Sequence, residues 1–117
     1  MDLKPEPRTV DYDPTLLSEK WWFKRSEVAN FFFNRSYQWL YKIEAKGFEV
    51  PDGIDYTPQY DASDNRIYYL RDIDALASCL AYNRIIDGEK ALRIFALLEY
   101  FSSIRRMPIE KTVRMPY

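Results

Sequence analysis

Between Trp22 and Gly47 the chain reads WFKRSEVANFFFNRSYQWLYKIEAKG, two short helix signals separated by a turn. Ser26 is a candidate N-cap, because its hydroxyl can accept from a free backbone N–H at a helix start. The pattern predicts a helix from Glu27 to about Phe33, with Val28, Ala29 and Phe32 on its inner face. Asn34 or Arg35 makes the turn. Ser36 caps a second helix, Tyr37 to about Lys46, which turns Leu40 and Ile43 inward with Trp39 alongside. Gly47 ends it, since glycine takes a left-handed conformation without steric cost. Two helices this close must pack on each other, which leaves one face of the second helix for solvent or a partner.

The remainder extends the pair into one small domain. Phe48 and Val50 are expected to form one strand and Arg66 to Tyr69 the returning one, with a long acidic loop of turn-formers between them. A third helix is predicted from Leu70 to about Asn83, its stripe formed by Ile73, Leu76, Ala77 and Leu80. Asp87 is the expected cap of a fourth, Gly88 to about Ile104, with Ala91, Ile94, Phe95, Leu98 and Phe101 inward. That helix is either a fourth core helix or a dimer helix, and its apolar residues occupy more than one stripe, which leans toward burial on two sides. The reading is a mainly α domain over 20–104 with about four helices and a small two-stranded β element. Residues 1–19 form an extended arm, with Leu16, Leu17, Trp21 and Trp22 packing its far end, and 105–117 a tail.

Composition removes several function classes. The 117 residues contain no histidine and one cysteine, Cys79, so the commonest general base and the usual metal ligands are missing. No nucleophile, base or metal set can be assembled, and the expectation is a non-enzymatic protein without cofactor. The loop carboxylates Asp52, Asp55, Asp61 and Asp64 do not follow calcium-loop spacing and read as solvated charge. Cys79 reads as a small packed side chain. A lone cysteine, no membrane-length apolar run and no apolar leader point to the cytoplasm.

The net charge of −1 conceals a pattern. Residues 20–47 hold six basic and two acidic side chains, whereas 48–74 hold two basic and seven acidic. The local field at the helix pair favours a polyanion. A helix fits the major groove of B-DNA, and its first two turns reach bases and phosphates. In the second helix those positions are Ser36, Tyr37, Gln38, Tyr41 and Lys42. Gln38 can pair bidentately with adenine, and Tyr37, Tyr41 and Lys42 suit phosphate oxygens. Arg35 in the turn suits either, and Lys24 and Arg25 before the first helix suit the backbone. Arg66 reads equally as a phosphate contact or as an ion pair with Asp64 or Asp72. Of Phe31, Phe32 and Phe33, one ring is expected to stay outside the core.

These residues resemble the MerR and excisionase-like winged helix-turn-helix superfamily. Ser26-Glu27-Val28-Ala29 is similar to the family's first-helix start; Ser36, Leu40 and Glu44-Ala45-Lys46-Gly47 are similar to its second helix. Arg66, Tyr68, Asp72, Ile73 and Leu76 resemble the wing exit and third helix, and Ile86-Asp87-Gly88-Glu89 the fourth. The resemblance covers 22–102. It implies a second helix in the major groove, a wing beside it, a phosphate contact from Arg66, and backbone or base contacts from Tyr41 and Lys42. The chain departs from the family at Tyr41-Lys42-Ile43, where arginine and two tyrosines are usual, and in its longer, acidic wing loop. It has no coiled-coil or effector segment, so no small-molecule effector is implied. Its size and form resemble a phage or mobile-element protein. The expected function is sequence-selective binding of double-stranded DNA, as a transcription regulator or an excisionase-like architectural factor, with dimerisation or cooperative binding on DNA. The alternative is a protein–protein adaptor that keeps the fold without nucleic acid.

Overall fold

Phe23–Lys24 opens the fold as a two-residue strand, β1, whose partner lies more than forty residues away. The computed structural model describes residues 22–105, so the expected arm over 1–19 (with Leu16, Leu17 and Trp21) and the tail beyond 105 lie outside the described residues. Two further strands, β2 (Gln59–Tyr60) and β3 (Arg66–Tyr68), form a hairpin. The sheet is antiparallel in the order β1-β3-β2, pairing Phe23 with Tyr68 and Tyr60 with Arg66. The sheet therefore has three strands rather than two. Phe48 and Val50 are irregular instead of extended in a strand.

The first helix starts earlier than its serine suggests. α1 is a single α turn, Arg25–Glu27, that runs on as a π-helical stretch, Val28–Phe32. Glu27 caps it by accepting the Lys24 N–H at 2.9 Å, which leaves Ser26 inside the first turn rather than at the cap. The Phe33 N–H donates five residues back to the Val28 carbonyl at 3.2 Å. That wider turn slips the register, so Phe32 and Phe33, adjacent in sequence, are both fully buried. Phe31 stays half-buried and meets Phe32 and Phe101 edge-on at 5.2 and 5.6 Å. Asn34, with φ 56°, makes the turn.

The other helices follow their local signals. α2 spans Tyr37–Lys46; the Ser36 hydroxyl accepts the Trp39 N–H at 3.1 Å, and Gly47 leaves the helix at φ 88°. α3 spans Leu70–Tyr82, started by Asp72, which accepts the Tyr69 N–H at 2.9 Å. α4 spans Gly88–Arg105, and Asp87 accepts the Lys90 N–H at 2.8 Å. Phe23, Phe32 and Phe101 form an aromatic centre with ring separations of 5.4–6.2 Å. Edge-on aromatic pairs contribute about 0.5–1.5 kcal/mol each beyond their burial.

α3 is the central post. Apart from Arg71 and Tyr82, at its first turn and its end, it is buried on every side. One side meets the main core. The other carries Ala75 and Cys79, and Ile54 from the long loop packs against them. The loop is held at its root as well: the Asn83 side chain accepts the Glu49 N–H at 3.2 Å and donates to the Glu49 carbonyl at 2.8 Å. The segment over 48–58 is thus a packed cover for α3. No helix among the described residues is long and apolar enough to cross a membrane.

Candidate nucleic-acid interface

One face of α2 is open. Tyr37, Gln38, Tyr41, Lys42, Ala45 and Lys46 are exposed, while Leu40 is fully buried and Trp39 and Ile43 are half-buried. The exposed residues repeat at helical spacing and include two cations and no carboxylate. Lys24 on β1 and Arg35 in the turn are exposed beside them, Arg35 lying 4.9 Å over the Trp39 ring. Six of the nine residues singled out from the sequence (Lys24, Arg35, Tyr37, Gln38, Tyr41 and Lys42) are thus presented outward. Ser36 is occupied as the helix cap. Lys46, not singled out, lies one turn beyond Lys42 on the same face, and that spacing was visible in the sequence.

Arg25 and Arg66 have other duties. The Arg25 Nε donates to Glu44 Oε1 at 2.7 Å, and the guanidinium sits 5.7 and 5.3 Å from the Tyr37 and Tyr41 ring centres. Those rings stack on each other at 6.1 Å and 16°. Arg25 is therefore a strut under the two tyrosines. Burial opposes its charge, but the hydrogen bond to Glu44 and the neighbouring groups outweigh burial and hold its pKa above the ordinary value.

Arg66 corrects the expectation of a wing arginine facing phosphate. Its side chain is 5% exposed and donates to Glu44 Oε2 at 3.1 Å, the Tyr56 hydroxyl at 2.6 Å and the Ile67 carbonyl at 2.8 Å. It lies 4.1 Å over the Tyr68 ring. Its ionic partner is Glu44, not Asp64 or Asp72. A guanidinium enclosed in this way has no edge left for a phosphate.

Glu44 is the group that sequence reasoning missed. Its Oε1 accepts Arg25 and the Tyr68 hydroxyl, both at 2.7 Å, and its Oε2 accepts the Tyr56 hydroxyl at 2.8 Å and Arg66 at 3.1 Å. Burial, then the Glu44 charge, pushes the Tyr56 and Tyr68 phenols well above their ordinary range, so both remain donors. One carboxylate thus joins α1, α2, the long loop and β3. The available signal was its place one turn after Leu40, on the inward side of the helix, where an unpaired charge is costly.

The hairpin tip is acidic and locally ordered. Asp61 accepts the backbone N–H of Ser63 and Asn65 at 2.9 and 2.8 Å, and Asp64 takes φ 68°. The Asn65 N–H leads the groups that hold the Asp61 carboxyl below the usual carboxylate range. Asp61 and Asp64 border a groove of about 460 Å³ on the Tyr37 side of α2. A second groove, about 380 Å³, opens by Tyr41, and the one carboxylate lining it is Glu44. Among the described residues no group of three or more carboxylates, cysteines or histidines could hold a metal ion. Comparisons with family models, curated proteins and solved structures gave no match.

Proposed function

We propose that this chain binds double-stranded DNA, seating the outward face of α2 in the major groove. One observation supports it above the others: an exposed helix face of two tyrosines, a glutamine and two lysines, free of carboxylates and flanked by Lys24 and Arg35. Lys24, Arg35, Lys42 and Lys46 meet phosphates, Tyr37 and Tyr41 pack on the sugar–phosphate wall, and Gln38 reads a base edge. The three-stranded sheet and hairpin beside α2 suit the winged helix-turn-helix of the MerR and excisionase-like type. On this reading the protein is a transcription regulator or an excisionase-like architectural factor, working in the cytoplasm that holds its DNA. The acidic hairpin tip, whose Asp61 and Asp64 share a groove with Lys24 and Tyr37, disfavours phosphates at that end, so the contact rests on the outward face of α2.

Titration of a labelled duplex against salt tests this. Each phosphate neutralised adds about −0.9 to the slope of log affinity against log salt, so four contacts give roughly −3.6. Gln38→Ala should lower discrimination at one base pair by about 1–3 kcal/mol while leaving that slope unchanged. Affinity that ignores salt sinks the proposal. The adaptor reading draws on the acidic tip and the exposed Tyr60; it takes over if no duplex binds at low salt.

A further inference from the structure

Among the described residues, the outer face of α4 carries a short exposed apolar ridge, although the Tyr100 ring meets the core ring Phe101 edge-on at 5.6 Å. Leu92 is 65% exposed and Tyr100 54%, and exposed Ala96 lies midway between them. At about 100° per residue the three are offset by roughly 40° steps, an i, i+4, i+8 row. Arg93 and Glu99, both exposed, lie on opposite flanks of that row, each three residues from Ala96.

We infer that this ridge is the contact for a second copy of the chain, with the two-fold axis running along the row. Rows of this i±4 type pack in register when two helices cross at about 50°. Small Ala96 then sits at the crossing and lets the backbones approach, while Leu92 meets Leu92 and Tyr100 meets Tyr100. The charges choose this arrangement over the other symmetric one. A two-fold along the row carries the partner's Glu99 to the flank that holds Arg93, on both sides. A two-fold across the row brings Arg93 beside Arg93 and Glu99 beside Glu99. A carboxylate accepts several donors at once, so the new pairing adds to any bond Glu99 makes within its own chain. The isologous contact is self-complementary, as a closed dimer requires. It is small, so the dimer is a weak, transient one. The inference stands independently of DNA binding.

Sedimentation equilibrium of the full chain reads the outcome. The wild type should dimerise, and Ala96→Arg should leave a monomer with an unchanged circular dichroism spectrum. Arg93→Glu should weaken the dimer roughly tenfold, and the swap of Arg93→Glu with Glu99→Arg should restore it to within about threefold. Ala96→Cys should give a disulfide-linked dimer on mild oxidation, because the two positions face each other at the crossing. A wild type that stays monomeric at about 1 mM overturns the inference, as does a dimer indifferent to Ala96→Arg or a charge swap that fails to restore association.

Discussion

Glu44 Oε2 lies 3.1 Å from the Arg66 guanidinium, twenty-two residues further along the chain, and so locks α2 to the first residue of β3. Arg25 holds the other oxygen at 2.7 Å and carries Tyr37 and Tyr41 on its face. The exposed ridge of α2 therefore rests on a polar cluster beneath it. Stability and surface chemistry can be separated by mutation.

Glu44→Ala strands two guanidiniums and two phenol hydroxyls in a largely buried site. Loss of one partner of such a cluster costs about 3–5 kcal/mol. Glu44→Gln keeps acceptor capacity at one oxygen and should cost less than the alanine. Urea denaturation of both variants checks the order. A loss below about 1 kcal/mol for Glu44→Ala would mean the cluster is not formed in solution.

Arg66 and Lys42 should diverge in their effects. Lys42→Ala is expected to leave the denaturation midpoint within about 0.5 kcal/mol of wild type and to lower the salt slope of duplex binding by about one contact. Arg66→Ala should lower stability by several kcal/mol, on the order of 3, and leave the salt slope intact under conditions where the variant is folded. A slope reduced equally by both substitutions would put Arg66 on the DNA.

Acid should act in opposite senses at Asp72 and Asp61. Burial raises the Asp72 carboxyl above its ordinary value, outweighing the Tyr69 N–H bond that lowers it. The folded state then holds this proton where the unfolded chain releases it, so stability falls as pH rises from the ordinary carboxylate value through the raised one. At neutral pH Asp72→Asn, which retains an acceptor for the cap, should match or exceed the wild type. Asp61 is depressed, led by its bond from Asn65, so its contribution is present above the ordinary value and lost as pH falls through the lowered one. Carboxyl-carbon NMR titration reads both midpoints; Asp61 titrating above Asp72 would contradict the geometry.

Cys79 is fully buried between Ile54 and Ala75, and burial pushes its thiol up to about 12. Thiol reagents should label it only after α3 is uncovered. The labelling rate in increasing urea should then follow the global unfolding equilibrium. Fast labelling in native buffer would show instead that the 48–58 cover lifts on its own.

Three helix boundaries were legible from single residues, whereas the start of the first helix, expected at Ser26, lies at Lys24. Ser36, Gly47 and Asp87 terminate or begin helices through bonds to groups within about four residues, and the stripes of α2, α3 and α4 repeat at short intervals. Such signals act over one or two turns, so order along the chain is enough to read them. The open cationic face of α2 followed from the same periodicity once Leu40 was turned inward.

Partners across the chain were not legible. Nothing near Phe23 says that it pairs with Tyr68, and nothing near Arg66 says that its counter-ion is Glu44 rather than the closer Asp64 or Asp72. The π-helical slip that buries Phe33 depends on the space left by the rest of the core. Local bonds of cap and stripe are set by the covalent neighbours of each residue. Ion pairs, strand pairing and burial are set by which distant groups the folded chain brings within a few ångströms, and the choice among rival carboxylates is made there.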